Sequence, residues 1–171
     1  EVTLSESDRA ELLETANERL DSLAELVTDL LDVSRLQAGV LGVTLEPVTI
    51  EEITGEVLDE LRLAPGDVAL ELSPTGAVIA DAALLKRVLV NLLANALRYA
   101  PPGRPPVLST STLGDRVQLR VIDEGPGIPP DRRERVFLPF QRLGDLDNTA
   151  GVGLGLALSK GFVEGMGGTL D

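Results

Sequence analysis

The sequence predicts an α+β fold led by one long helix, and three observations carry that reading. Residues 5–38 place Leu13, Ala16, Leu20, Leu23, Val27, Leu30 and Ser34 at alternating three- and four-residue spacing, the seam of a helical bundle or coiled coil. Beyond Gly39, short stretches that alternate with period two are interleaved with helical stretches, which suits an antiparallel-leaning sheet with helices on one face. Residues 125–152 are rich in Gly, Pro and charge and show neither period, so they read as a long loop.

The elements follow in order. Ser5 or Ser7 can cap the first helix and Gly39 can end it. Leu12, Ala24, Leu26 and Leu31 widen its apolar face beyond a two-stranded seam, which fits one helix of a four-helix bundle. LGVTLEPVTI alternates like a strand, and EEITGEVLDEL reads as a short helix. VALELSP and AVIAD are strand-like, with Pro74 and Gly76 between them. DAALLKRVLVNLLANALRYA is a long amphipathic helix stopped by Pro101 and Pro102. VLSTSTLGDRVQLRVIDEG is two strands joined at Gly114-Asp115, a hairpin signal. GLGLALSKGFVEGM reads as a helix, and GGTLD as the start of a last strand.

Composition excludes several functions. With 43% hydrophobic and 25% charged residues, the 171-residue chain can bury a soluble core, as one ordinary domain or one domain plus an extension. No run of 18 apolar residues exists, so nothing here spans a membrane. The acidic N-terminus has no apolar stretch of the kind a signal peptide needs. The chain has no Cys and no His, which removes disulfides, Cys-ligated zinc and any phosphohistidine formed within it. Residues 1–61 hold 16 acidic and 3 basic side chains and so carry the whole formal charge of −13. That imbalance, with only four aromatic residues, argues against nucleic acid as a partner.

Three motifs suggest chemistry, and each has a plain alternative when taken singly. Asn91 and Asn95 share a face of the long helix, with Arg98 one turn on. Amide oxygens there can ligate Mg²⁺ beside phosphates, or the pair can simply be solvated or helix-packing. Asp123-Glu124-Gly125-Pro126-Gly127-Ile128 follows a strand. Its carboxylate can accept from an adenine amino group, and its glycines can lie against a flat base or take positive φ; it can equally be an acidic turn. Gly151-Val152-Gly153-Leu154-Gly155-Leu156 opens a helix, where free N–H groups favour phosphate, although glycines also serve helix packing. It is neither a P-loop nor a Rossmann fingerprint, because no Gly-Lys-Ser/Thr follows and position 156 is Leu. Their order along the chain, with a long segment between the second and third, makes one nucleotide site: metal face, base pocket, lid over about residues 128–150, and phosphate loop. Phe137 and Phe140 are expected to anchor the lid by burial.

Taken together, these stretches resemble the N, G1, F and G2 boxes of sensor histidine kinases, in that family's order, and DLLDVSRLQAG resembles the end of their second dimerisation helix. PFQRLGDLDNTAGVGLGLALSKG is most similar to the Kdp-type potassium-sensor members. The resemblance spans nearly all of residues 5–171. It implies a two-layer α/β sandwich of the histidine-kinase ATPase type over residues 43–171, C-terminally truncated, preceded at residues 1–42 by the second helix of a dimerisation bundle whose first helix, with the acceptor His, is absent. It also implies ATP and Mg²⁺ as ligands, with Asn95 on the metal and Asn91, Arg98 and Tyr99 lining the nucleotide. Asp123 would read adenine with Gly125, Gly127 and Ile128 beside it, and Arg142 would approach the terminal phosphate. Gly151, Gly153 and Gly155, with Val152, Leu154 and Leu156, would form the phosphate loop; Asn91, Arg98 and Arg142 would serve catalysis. Arg98 stands where the family more often has Lys.

The activity so implied is transfer of the ATP γ-phosphoryl group to a His on a separate helix, in potassium or osmotic signalling, with a response regulator as the onward partner. The parent protein would be a homodimer in the bacterial inner membrane and this chain a cytoplasmic piece of it. One rival is an ATPase of the gyrase, Hsp90 or MutL kind; those carry a Glu base where this chain has Asn91, whose amide cannot take a proton. The other rival is a non-catalytic dimerisation module.

Overall fold

The first helix, α1 (Glu6–Gln37), begins at a reciprocal cap. The Ser5 Oγ accepts the Asp8 N–H at 3.1 Å, and the Asp8 carboxylate accepts the Ser5 N–H at 3.0 Å, so two otherwise orphaned donors are satisfied. The Ser5 hydroxyl also donates to that carboxylate at 2.7 Å, and this bond first, then the Ser5 N–H, holds the Asp8 carboxyl below its ordinary value. Gly39, at φ +66°, takes the left-handed conformation that stops the helix. The apolar seam read from the sequence is exposed at Leu13, Leu20, Leu23, Val27 and Leu30. The protein, a computed structural model, is described over residues 5–74, 76–141 and 152–171. It divides into two units, Glu1–Val40 and Leu41–Asp171.

The second unit is the α+β part. Its elements are β1 (Glu46–Thr49), α2 (Ile50–Glu60), β2 (Ala69–Glu71), β3 (Ala77–Ala80), α3 (Ala82–Tyr99), β4 (Val107–Leu113), β5 (Arg116–Ile122) and α4 (Gly155–Gly165). Strands β1 and β3 form an antiparallel pair. A second sheet has the order β2-β4-β5, with β2 parallel to β4 and β4 antiparallel to β5. Leu113 is registered on Arg116, so Gly114-Asp115 is a two-residue hairpin loop, and Gly114 supplies the positive φ of 63° that such a turn needs.

Two expectations about strands are corrected. The stretch 41–50 pairs only over Glu46–Thr49, because its partner β3 is four residues long and a ladder extends no further than both strands. The expected last strand at residues 167–171 is irregular; no strand among the described residues pairs with it.

Helix α3 is the spine of this unit. The Asp81 carboxylate caps it by accepting the Leu84 N–H at 3.1 Å, and its other oxygen accepts the Thr44 N–H at 2.8 Å, tying the segment before β1 to the helix start. Leu85, Val88, Leu89, Leu93 and Ala96 form its buried stripe. Leu85, Leu89 and Leu93 join Ile50, Ile53 and Val57 of α2, with Val68, Ala80 and Leu108, in one core. Lys86 reaches Glu60 at 3.2 Å and Glu56 at 3.6 Å across the α2–α3 contact. On its other side α3 packs against α4, where Leu158, Ser159 and Phe162 are buried and the Arg87 guanidinium lies 4.9 Å from the Phe162 ring centre. With the strands beneath it, α3 presents its C-terminal half to two glycine-bearing loops.

Candidate functional site

Asn91 and Asn95 are half-buried on α3, while Arg98 and Tyr99 in its last turn are exposed. The Asn91 Nδ2 donates to the Ser159 Oγ of α4 at 2.9 Å, and the Asn95 Nδ2 donates to the Asn91 Oδ1 at 3.4 Å. Both polar ends of Asn91 are therefore engaged inside the protein. Among the described residues the Asn95 Oδ1 has no hydrogen-bond donor, and it is the amide oxygen left for an external ligand.

Missing side chains bring the other two motifs onto this helix. A Cβ at Gly125 would stand 2.8 Å from the Tyr99 backbone oxygen and 2.6 Å from the Asp123 Oδ1, so only glycine lets the turn after β5 lie on the end of α3. The Asp123 Oδ1 accepts the Gly125 N–H at 2.7 Å, closing that turn, and Asp123 itself is exposed. Gly127 is glycine for a different reason, its φ of +69°. An Arg104–Glu124 ion pair joins the segment after α3 to the same turn. The Arg133 Nε donates to the Ile128 carbonyl at 3.3 Å.

Gly155 opens α4 directly against Asn91: an added Cβ would collide with the Asn91 Oδ1 and stand 2.8 Å from its Cγ. Gly153, at φ +77°, lies so close to Gln141 that a Cβ would be 2.6 Å from the Gln141 carbonyl oxygen, and its own carbonyl accepts the Phe140 N–H at 2.9 Å. Val152 is exposed, Leu154 is buried and Leu156 is half-buried beside them. Arg142 and Gly151 lie outside the described residues.

The expected lid is folded over its first part. Residues 128–141 form two 3₁₀ turns, Pro130–Arg132 and Arg135–Phe137. Val136 is buried, and the Lys160 ammonium of α4 sits 4.6 Å from the Phe137 ring centre. The expected anchor Phe140 is corrected: it is 58% exposed, and at φ +63° it contributes its backbone to the Gly153 contact rather than its ring to a core. The sequence reading missed Ser159. Its place one helical turn after Gly155, on the same face of α4, was the available signal.

Asn91, Asn95 and Tyr99 thus lie along the C-terminal half of one helix, with Gly125 and the exposed Asp123 carboxylate at the Tyr99 end and Gly155, at the N-terminus of α4, against Asn91. Residues 80–171 match the family described as Histidine kinase-, DNA gyrase B-, and HSP90-like ATPase, and the chain belongs to that family. The sensor protein KdpD of Rathayibacter rathayi is 62% identical over 150 residues, 87% of this chain and 17% of that protein. KdpD of Mycobacterium tuberculosis H37Rv is 44% identical across 100% of this chain and 21% of its own length. The chain therefore spans about a fifth of these curated relatives. Among solved structures, full-length ShkA in complex with AMPPNP superposes with a TM-score of 0.78 at 31% identity, over 97% of this chain and 35% of that one. Among the described residues no helix is long and apolar enough to cross a membrane.

Proposed function

We propose that this chain is the ATP-binding catalytic region of a two-component sensor histidine kinase, and that it donates the γ-phosphoryl group of ATP to a His on another segment of the kinase. The observation that supports this most is the joint of Asn91 with Ser159 and Gly155. It supports reading Asn91, a neutral amide rather than a carboxylate base, as the counterpart of the Glu with which a hydrolytic relative would activate water. The AMPPNP bound by ShkA and the 62% identity to a KdpD add their weight to ATP as ligand and to potassium or osmotic signalling as context.

In this mechanism the exposed Asp123 carboxylate accepts from the adenine amino group while its other oxygen holds the Gly125 turn. Gly127 and Ile128 continue that wall, and Tyr99 and Arg98 close it from the helix end. The N-terminus of α4, from Gly153 to Leu156, receives the phosphates, with Val152 leading into it; Gly151 in that loop and Arg142 at the terminal phosphate are roles the family resemblance implies for residues outside those described. A neutral amide oxygen suits an ion whose remaining ligands are phosphate oxygens and water. Asn95, through its Oδ1, would hold that Mg²⁺, which supplies charge neutralisation when bound. The chain's own residues position and orient; the nucleophile is an imidazole nitrogen supplied from elsewhere, because the chain has no His. A response regulator then takes the phosphoryl group onward.

The test is incubation with γ-labelled ATP and Mg²⁺, with and without the acceptor-helix segment of the parent kinase. Acid-labile, base-stable label is expected on the added segment and none on this chain. Label on the chain itself, or steady phosphate release with no transfer to the segment, would overturn the proposal.

A further inference from the structure

We propose that Met166 is an oxidation-sensitive modification site, at which a peroxide releases the joint between the start of α3, the end of α4 and residues 41–44. It is the single Met of a chain with no Cys, His or Trp, so no thiol competes for the oxidant. Met166 stands at the C-terminal end of α4, half-buried and packed against the core cluster. Its Sδ accepts the backbone N–H of Asp81 at 3.3 Å, a contact across 85 positions of chain. Asp81 in turn holds two segments: its carboxylate accepts the Leu84 N–H at 3.1 Å, capping α3, and the Thr44 N–H at 2.8 Å. The residue beside Met166 completes the joint. A Cβ at Gly165 would stand 3.1 Å from the Leu41 Cδ2 and 3.6 Å from the Val43 Cγ2, so the end of α4 is bare where residues 41–43 lie on it.

The reaction needs one co-reactant, hydrogen peroxide. A sulfur lone pair attacks one peroxide oxygen, and the S–O bond forms as the O–O bond breaks. The proton of the transferred oxygen passes to the departing hydroxide, which leaves as water. Sulfur is oxidised to the sulfoxide and the peroxide is reduced. The product does not fit the joint. An N–H···O hydrogen bond by itself takes about 2.9 Å, and the Asp81 nitrogen is only 3.3 Å from the sulfur, so an oxygen bonded to that sulfur has no room between them. The oxidised sulfur is electron-poor and no longer accepts. The new S=O dipole would also lie against apolar side chains, where an unpaired polar group is costly. The Met166 side chain must therefore swing outward. The Asp81 N–H loses its acceptor, and the cap of α3 and the anchor of Thr44 loosen with it.

The experiment treats the whole chain with hydrogen peroxide and follows it by mass spectrometry and amide exchange. One added oxygen is expected, on Met166, with exchange at Asp81 and Thr44 about 5-fold faster while the β4–β5 hairpin exchanges as before. Methionine sulfoxide reductases acting on both epimers should reverse the change. Met166→Leu keeps a similar volume without an acceptor. It should show the faster exchange at Asp81 before any peroxide is added, and no response to peroxide afterwards. Should that variant not fold, the reductase-treated chain serves as the reference, since it differs from the oxidised one by a single oxygen atom. A Met166 that stays unmodified at peroxide concentrations that oxidise free methionine would overturn the proposal. So would a sulfoxide that leaves exchange at Asp81 and Thr44 unchanged, exchange that quickens equally in the hairpin, or a peroxide response that persists in Met166→Leu.

Discussion

Gly155→Ala sets two effects of known size against each other. Gly155 begins α4, and its φ is not of the left-handed kind, so alanine gains about 1 kcal/mol of helix propensity. Against that, the new methyl would occupy the space of the Asn91 Oδ1, with the Asn91 Cγ only 2.8 Å away. Asn91 must swing off, and its 2.9 Å hydrogen bond to Ser159 breaks. Ser159 is 1% exposed, so its oxygen loses its donor without gaining water, a cost of about 1–3 kcal/mol. A strained side-chain rotamer at Asn91 adds roughly 0.5–1.5 kcal/mol. The collision wins: net destabilisation of about 0.5–3.5 kcal/mol is expected, a fall in melting temperature of roughly 2–14 °C for a unit of this size. Thermal unfolding by circular dichroism measures it. The penalty should shrink when Ser159→Ala is already present, since the broken bond is then gone in both chains. A melting temperature that rises in Gly155→Ala would refute the reasoning, because it would show that Asn91 moves aside freely.

Asp123→Asn keeps an oxygen for the Gly125 N–H, so the melting temperature should hold while adenine-nucleotide affinity drops by about 1–3 kcal/mol through loss of the charge-assisted bond; calorimetry showing unchanged affinity would remove Asp123 from the site. Leu93→Ala opens a cavity at a core position that is 0% exposed, and urea unfolding should register a loss of about 2–5 kcal/mol. Acid should loosen the start of α1: the Ser5 hydroxyl and N–H hold the Asp8 carboxyl below the ordinary aspartate value, so its contribution is present above that ordinary value and is lost as pH falls through the lower folded one. Amide exchange at Ser5 and Asp8 followed across that range tests this, and Asp8→Asn should abolish the pH response.

What the sequence made legible was mostly local. The seam of α1, the apolar stripe of α3 and the Gly114-Asp115 hairpin each write their geometry into neighbouring residues, and all three elements are found. Strand pairing is not local. The parallel contact of β2 with β4 pairs residues 38 positions apart in chain order, as at Ala69 and Val107, and nothing in either segment names its partner. The same holds for the length of β1, which β3 sets. At the site, the glycines stood out but their directions did not. Gly125 and Gly155 look inward, onto Tyr99 and Asn91, and owe their identity to protein packing. Ser159 escaped notice because a serine inside an apolar helix looks like filler until the facing side chain is known. Phe140 misled in the opposite way, since an aromatic ring suggests burial while the backbone here does the joining.

Those two inward-looking glycines make α3 a ruler. One loop is pinned at Tyr99 and the other at Asn91, and eight residues of helix rise about 12 Å between the marks. Loops tolerate added or lost residues because closure entropy grows slowly with their length. A helix between two fixed contacts does not: one inserted residue would turn every later side chain by about 100° and carry Tyr99 away from the Gly125 turn. Descendants of this sequence can therefore drift in composition along α3 but not in length between Asn91 and Tyr99. Any molecule that touches both loops at once must match that fixed span, whatever its own chemistry.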